Sequence, residues 1–421
     1  MPAGSRLCVA YSGGLDSTVL LHALASARDA LCVGLSAVHV HHGLSPNADA
    51  WLVHCQSTCD ALGVPLHAAR VRVEEAGRGL EAAAREARYR VFAALDVDAL
   101  ALAHHRDDQA ETLLLQLLRG ASVRGLAAMP AARPLAGRVQ LLRPLLELDR
   151  ASLERYAHAH GLAWVEDESN LDPSLARNHL RHTVLPVLER DAPGMTRALA
   201  AAASQFAEWA ELLDALADAD AAGQGEEGSP AIAHLRDLPE PRARNLLRRF
   251  LEGEGVEVRR HALVEATRQL RDSGDNAQVR VDLGGFSVVR AGGRARVVAA
   301  SVFAEVPPLR RPWQGESVVD VGAAGRLTLH ATVGEGVVLT GGAVAIRHRQ
   351  AGDRLRLRPG QARRPLKDWL REAGVPYWLR PWLPVVEVDG EIAWVAGLGA
   401  SAEFAAREAQ PGWLIEWASP W

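Results

Sequence analysis

The sequence predicts an α/β protein in three parts: an N-terminal doubly wound parallel sheet, a helical central domain, and a small β-rich α+β C-terminal domain. Three patterns predict it. From Leu7 to about Leu188, short β-rich runs alternate with amphipathic stretches, as in βαβ units around a parallel sheet. From about Pro193 to Arg271, alanine and leucine recur at helical spacing. From about Val279, valines alternate with polar residues between glycines, which suits short antiparallel strands.

In the first part, strands are expected at Leu7–Tyr11, Leu35–Val40, around Leu66–Val73 and at Ala99–Ala103. Helices are expected at Ser17–Ala27, Asn47–Leu62, Leu80–Leu95 and Asp108–Arg119. A Gly/Glu/Ser/Pro interruption at Ala222–Pro230 reads as a linker. The expected division is 1–190, a helical 191–275 with linker 222–230, a β-rich connecting segment 276–343, and a C-terminal domain 344–421. A length of 421 residues suits two or three domains of roughly 100–200 residues each.

Composition narrows the class. Hydrophobic residues make up 48% and charged residues 23%, with mean hydropathy -0.04, which is ordinary for a soluble protein. No run approaches the roughly 18 apolar residues of a membrane span, so no membrane partner is expected. The N-terminal apolar stretch is broken at once by Ser12, Asp16 and Ser17, unlike a signal peptide, and a cytoplasmic location follows. The cysteines Cys8, Cys32, Cys55 and Cys59 do not form the paired spacings of a disulfide framework or zinc site. Cys8 and Cys32 are expected as buried strand residues, and Cys55 and Cys59 on a packed helix face. Net charge is -4, and Lys367 alone supplies lysine among 47 lysines and arginines.

Residues 6–18 read as an apolar strand, a tight Gly-Gly turn and a helix opening. Ser12, Gly13, Gly14, Leu15, Asp16 and Ser17 form the turn. Such a turn aims backbone N–H groups and the positive helix end at an anion. It lacks the lysine of a Walker A loop. A plain turn with a capped helix is the bland alternative. Two further stretches follow later strands at their C-terminal ends, where open parallel sheets bind ligands. One is Val38–Gly43, which carries His39 and His41. The other is Ala103–Thr112, where His104 precedes Asp107, Asp108 and Glu111 within one turn. Asp107 and Glu111 are expected on one face, available to Mg²⁺ or an amine. Acids complementing a helix dipole would look the same.

The Ser-Gly-Gly-Leu-Asp-Ser string resembles the pyrophosphate loop of the N-type ATP pyrophosphatase (PP-loop) superfamily. The stretches Gly79–Tyr89, Arg119–Leu126, Leu142–Leu146, Glu166–Asn170, Arg177–Arg181, Ile346–Asp353 and Leu366–Leu370 are similar, in order, to tRNA(Ile)-lysidine synthetases. That resemblance implies an adenine nucleotide alpha hydrolase-like N-terminal fold and ATP and Mg²⁺ as cofactors. It implies partners too: tRNA(Ile) with a CAU anticodon and free L-lysine. A homodimer is a further expectation.

The implied reaction adenylates O2 of the first anticodon cytidine, releasing pyrophosphate. The lysine ε-amine then attacks C2 and displaces AMP, converting codon reading from AUG to AUA. Asp16, Asp107, Asp108, Glu111 and Arg177 are implied as catalytic, with Asp107 and Asp108 also meeting ATP-bound Mg²⁺. Residues 12–17 with His39, His41 and His104 are implied for ATP. Arg85, Arg88, Arg181, Arg347, Arg349, Arg354 and Lys367 are implied for tRNA.

The C-terminal cations stand close to Trp369, Tyr377, Trp378 and Trp382, a combination suited to phosphates and unpaired bases, although at least half of these aromatics are expected in the core. Arg242, Arg244, Arg248 and Arg249 form another candidate basic face. Three other readings compete: a PP-loop tRNA thiolase or other base-adenylating enzyme, a small-molecule ligase, and an RNA-binding protein with a relict nucleotide site. The cysteine spacing argues against sulfur transfer, the basic C-terminal segment against a small-molecule ligase, and the intact loop against decay.

Overall fold

The structure is a computed structural model that describes residues 2–73, 80–136, 139–168, 175–222, 228–274 and 277–420. Gly79, Ser169, Asn170 and positions 223–227 of the expected linker lie outside the described residues. The chain divides into two units, residues 1–213 and 214–421.

The first unit runs β1 (Arg6–Ala10), α1 (Leu15–Leu31), β2 (Gly34–His41), α2 (Ala48–Leu62), β3 (Leu66–Arg70), α3 (Leu80–Ala93), β4 (Ala99–Ala101) and α4 (Arg106–Leu118). It continues through α5 (Val123–Leu126), β5 (Ala132–Ala136), β6 (Val139–Leu142), α6 (Arg150–Ala159), α7 (Ala176–His179), a π turn at Leu180–Val184 and α8 (Leu185–Asp191). The sheet order is β3-β2-β1-β4-β6-β5, parallel except for β5, which runs antiparallel to β6 along the edge. After β1 the chain moves outward to β2 and β3, then returns to place β4 on the other side of β1. The strand order therefore reverses between β1 and β4, and the crevice beyond their carboxyl ends is where such sheets bind ligands.

Apolar residues cover both sheet faces. Leu7, Val9, Leu20, Leu21 and Leu153 belong to one cluster, and Cys8, Val38, Phe92, Leu100 and Leu141 to the other. Consecutive residues of β1 thus enter opposite clusters, which the pleat requires. Cys32 departs from its expected burial in a strand. It caps α1 in the left-handed region with φ 51° and is exposed, because the helix runs on to Leu31 and β2 begins only at Gly34.

In the second unit the division falls within α9 (Met195–Ala221), and α10 (Ile232–Asp237), α11 (Glu240–Gly253) and α12 (Arg260–Asp272) follow. The sheet β7 (Arg280–Asp282), β8 (Phe286–Ala291), β9 (Arg294–Ala299) shares one apolar cluster with α10–α12 through Leu247, Leu270, Val281 and Val288. The expected boundary at 275/276 runs through this cluster.

Beyond lie β10 (Arg310–Pro312), β11 (Val318–Asp320), β12 (Arg326–Val333), β13 (Val344–His348), β14 (Arg354–Leu355), β15 (Arg364–Pro365), α13 (Leu366–Glu372), β16 (Pro384–Val388), β17 (Glu391–Val395), β18 (Gly399–Ala400) and β19 (Pro411–Ala418). The main sheets order as β10-β13-β16-β17-β18 and β11-β12-β19. Val319, Leu327 and Leu329 share a second cluster with Ile346, Val385 and Trp394, so the expected boundary at 343/344 also falls inside a core. Trp378 and Trp382 are buried there, and Trp369 and Tyr377 pack against it.

The arginines of α11 do not form a free basic face. Arg248 pairs with Asp214 at 2.7 Å and Glu252 at 2.6 Å, Arg249 pairs with Asp218 at 2.9 Å, and Arg244 with Glu240 at 2.6 Å. Arg242 pairs with Asp220. The acids of α9 spaced at one turn, which sequence reading had not matched to this helix, neutralise it.

Candidate active site

The loop after β1 meets α1 at Gly14, which has extended φ/ψ and no side-chain cap on its helix. The first N–H groups of α1 are therefore left without a side-chain acceptor, as an anion site requires. Inside the loop, Ser17 Oγ donates to the Gly14 carbonyl at 3.0 Å and lies 3.0 Å from Ser12 Oγ, while the Ser12 N–H donates to Ser17 Oγ at 3.3 Å. Thr18 Oγ1 donates to the Gly14 carbonyl at 3.0 Å. The hydroxyls thus shape the loop, and Ser12 Oγ also accepts from the Gly14 N–H at 3.4 Å. Gly13 has φ 89°, and a Cβ there would stand 3.0 Å from Cys55 Sγ and 3.1 Å from a Val165 methyl. The backbone angle calls for glycine, and the space beside it is tight.

Beyond β4, His105 caps the start of α4 and is 1% exposed. Its Nε2 lies 3.6 Å from Asp16 Oδ2 and 3.5 Å from Asp108 Oδ2, and its Nδ1 lies 3.4 Å from Asp107 Oδ2. These are ionic contacts, longer than well-formed hydrogen bonds. Burial alone would lower the imidazole's pKa, but Asp107, Asp16 and Asp108 outweigh it and hold it up at about 10. His105 therefore carries a positive charge that ties the β1 loop to the α4 opening across the strand reversal. Asp107 also accepts from the Arg150 N–H at 3.0 Å, and Arg150 Nη1 stands 3.9 Å from Asp16 Oδ2. Burial opposes the ionised forms of Asp107 and Asp108, yet His105 leads the neighbours that hold both below the usual carboxylate range.

One helical turn on, Glu111 is fully buried and bound by two arginines. Arg177 Nε donates to it at 2.9 Å, and Arg181 donates through Nε at 2.6 Å and Nη2 at 2.9 Å. Arg181 Nη2 also reaches Asp108 at 2.9 Å. The expectation that Asp107 and Glu111 share one acidic face is corrected: Glu111 works with Asp108, at three-residue spacing, inside the arginine clamp, while Asp107 turns to His105. Glu111 consequently has no open carboxylate edge for a metal or amine. The π turn that carries Arg181 follows the helix carrying Arg177, which sets both guanidiniums on one carboxylate; π turns are frequent at functional sites.

The three histidines expected at ATP each lie beside a fixed neighbour. His39 Nδ1 lies 2.9 Å from the Tyr11 carbonyl, and burial lowers its pKa. His41 Nε2 lies 3.3 Å from Asp49. His104 accepts from Arg143 Nε at 3.3 Å, and burial pushes its pKa down to about 4. The sequence reading missed His105, Arg143 and Arg150. His105 adjoins the acidic motif and Arg143 lies within the Leu142–Leu146 motif, so both carried a signal.

Among the described residues no group of three His, Cys, Asp or Glu forms a metal cage. Asp16 Oδ1 is nonetheless buried without a hydrogen-bond partner, and Asp107 meets the same imidazole at its other nitrogen. That fits Mg²⁺ held by one or two carboxylates and mostly by nucleotide phosphates.

Arg85 stacks over Tyr89 at 4.9 Å, and both it and Arg88 are exposed on α3. In the C-terminal segment, Arg347 is 5% exposed and held by Glu387 at 2.6 Å and Asp353 at 3.0 Å, so it is an internal ion-pair residue instead of a surface cation. Arg349 is half-buried, and Arg354 and Lys367 are exposed.

A family model described as a PP-loop domain matches residues 2–188. Models for the TilS substrate binding domain and the TilS substrate C-terminal domain match residues 231–296 and 344–417. The chain is 45% identical to a protein of Aromatoleum aromaticum named tRNA(Ile)-lysidine synthase, over 98% of this chain and 97% of that one. Proteins of the same name from Azoarcus sp. and Pseudomonas aeruginosa are 41% and 43% identical, each over 98% of this chain and over 92% and 93% of their own lengths.

Proposed function

Because the chain belongs to the tRNA(Ile)-lysidine synthase family, we propose that its first unit activates a tRNA(Ile) cytidine with ATP, releasing pyrophosphate, and joins L-lysine to the activated base with release of AMP. The observation that carries this reading is the meeting of Asp16, Asp107 and Asp108 on His105 between the carboxyl ends of β1 and β4. It brings a phosphate loop and an acid–arginine cluster to one crevice.

In this reading the backbone of Ser12–Ser17 receives the departing β and γ phosphates, and the end of α1 offsets the charge that develops as the α–β bond breaks. Arg177 and Arg181, oriented by Glu111, direct their remaining N–H groups to the α-phosphate of the adenylated base. The carboxylates Asp16, Asp107, Asp108 and Glu111 are balanced by His105, Arg150, Arg177 and Arg181, so the cluster is close to neutral. A near-neutral cluster does not offset a triphosphate by itself. Mg²⁺ would supply that charge, held by Asp16 Oδ1 and, if His105 is displaced, by Asp107. For the lysine amine, Asp107 is the accessible carboxylate of α4: its side chain is 31% exposed, against 10% for Asp108 and 1% for Glu111. It can orient the ammonium and accept its proton before attack.

The test is mass spectrometry of a tRNA(Ile) transcript after incubation with ATP, Mg²⁺ and lysine, with nucleotide products resolved. The expected result is a lysine-sized gain on the anticodon cytidine with AMP and pyrophosphate in equal amounts. ADP and phosphate as stoichiometric products would overturn it, as would sulfur in place of lysine.

A further inference from the structure

We propose that Arg150 binds the β and γ phosphates of ATP and the pyrophosphate that departs. The proposal rests on the ATP reading above and assigns a side chain within it. The loop after β1 has no lysine or arginine between Ser12 and Thr18, so on its own it meets the phosphates only with backbone dipoles and hydroxyls. When the cytidine O2 attacks the α-phosphorus, the bond from that phosphorus to the bridging oxygen breaks. Its electron pair stays on pyrophosphate, so negative charge builds on the β side, where a cation is worth more than a neutral donor. Among the described residues, three arginines lie within ion-pair distance of Asp16, Asp107, Asp108 or Glu111. Two are already engaged: Arg177 donates to Glu111 and Thr112, and Arg181 to Glu111 and Asp108. His105 is 1% exposed between three carboxylates.

Arg150 is held differently. Its backbone N–H donates to Asp107 at 3.0 Å, which fixes the first residue of α6 against the opening of α4. Its Nε donates to Glu154 at 3.2 Å, one turn along α6. That single side-chain bond sets the direction of the guanidinium, and Nη1 comes to 3.9 Å from Asp16 Oδ2, beyond hydrogen-bond length. Neither Nη group donates a hydrogen bond among the described residues, and the side chain is 42% exposed. The open edge therefore stands beside Asp16, on the first turn of α1, where the uncapped N–H groups of the loop and helix gather. An arginine anchored through Nε with both Nη groups open can grip a phosphate by two parallel bonds. Asp16 keeps the guanidinium at that place without occupying it, so a phosphate oxygen displaces only a loose contact. The exchange also leaves Asp16 with one cation fewer, which suits the carboxylate assigned above to Mg²⁺.

The experiment is calorimetric binding of inorganic pyrophosphate and of AMP to the full chain, each with Mg²⁺ and with EDTA. It compares wild type, Arg150→Gln, Arg150→Lys and the control Arg155→Gln, an exposed neighbour on α6 whose Nη2 donates to Ser152 Oγ at 2.8 Å. Arg150→Gln keeps the backbone bond to Asp107 and removes the guanidinium. Pyrophosphate should then bind about thirtyfold more weakly, as losing a charge-assisted pair of hydrogen bonds does. AMP, which has no β or γ phosphate, should bind as it does to wild type. Arg150→Lys should fall between, since it keeps the charge and loses the fork, and Arg155→Gln should match wild type. The loss should be as large in EDTA, because the contact runs directly from arginine to phosphate. Unchanged pyrophosphate affinity in Arg150→Gln would overturn the proposal. A loss seen only with Mg²⁺ would overturn it too, by reducing Arg150 to a partner of Asp16, and equal losses for pyrophosphate and AMP would reduce it to a scaffold of the crevice. Wild type that binds pyrophosphate through Arg150 but adds no lysine to tRNA would break the functional reading above and leave this proposal standing.

Discussion

Replacing Glu111 with glutamine separates two roles that a carboxylate at this position can have. The side chain is fully buried, accepts three N–H donors from Arg177 and Arg181 at 2.6–2.9 Å, and those arginines are only 29% and 25% exposed. Removing one partner of a buried ion pair costs about 3–5 kcal/mol. Glutamine keeps one acceptor oxygen in the same shape, and Asp108 still holds Arg181 at 2.9 Å, so roughly half of that should remain lost, about 2 kcal/mol. For a unit of 213 residues, this corresponds to a fall in Tm of about 4–8 °C. Asp107→Asn removes one edge of a half-open contact and should cost under about 1 kcal/mol. Both should lower pyrophosphate release at least about a hundredfold, the lower range for losing a catalytic or positioning group. Differential scanning calorimetry with a pyrophosphate assay reads both quantities. Glu111→Gln melting with wild type would refute the clamp, and full activity in both variants would return the acids to complementing a helix dipole.

The histidines give the first unit a two-sided pH dependence. His105, raised to about 10 when folded, stabilises fully below its ordinary value near 6.5, and that contribution fades as pH rises from there toward 10. His104, lowered to about 4, acts in the opposite sense, and its contribution is lost as pH falls from about 6.5 toward 4. Chemical denaturation between pH 4 and 10 should show both flanks, and His105→Gln should flatten the alkaline one. Gly13→Ala should cost about 1–2 kcal/mol for the left-handed backbone and abolish turnover with tRNA affinity unchanged, measured by filter binding and pyrophosphate release. Arg248→Ala should destabilise the second unit without changing tRNA affinity or its salt slope, because its charge is spent on Asp214 and Glu252. Unchanged melting, or a lower slope, would refute that assignment.

Local signals carried the parts of the fold that were legible. The strand–turn–helix opening at Arg6–Thr18 and the apolar run before Asp107 are short local signals, and each strand expected there lies within three residues of the one found. The edge hairpin β5–β6 was not read, since Arg133, Pro134 and Gly137 break the alternation that marks a strand. Burial of charge was equally illegible. Arg347 looks like its neighbours in the sequence, and only the fold brings Glu387 against it from forty residues away. The same holds for α11 and the acids of α9. At the site, residue types were readable because the motifs are compact. The division between Asp107 and Asp108 was not, because three- and four-residue spacings differ only once partners on α7 and the π turn are in place.

The near-absence of lysine makes this protein unusually simple to label. Lys367 is the chain's one side-chain amine, it is exposed on the first turn of α13, and Arg371 follows one turn later on the same helix. An amine-reactive dye at pH 8.5 would thus mark a single side-chain position, distant in sequence from every ATP motif, without a cysteine having to be engineered or removed. Paired with a fluorophore on the tRNA, it would time docking separately from chemistry in one stopped-flow trace.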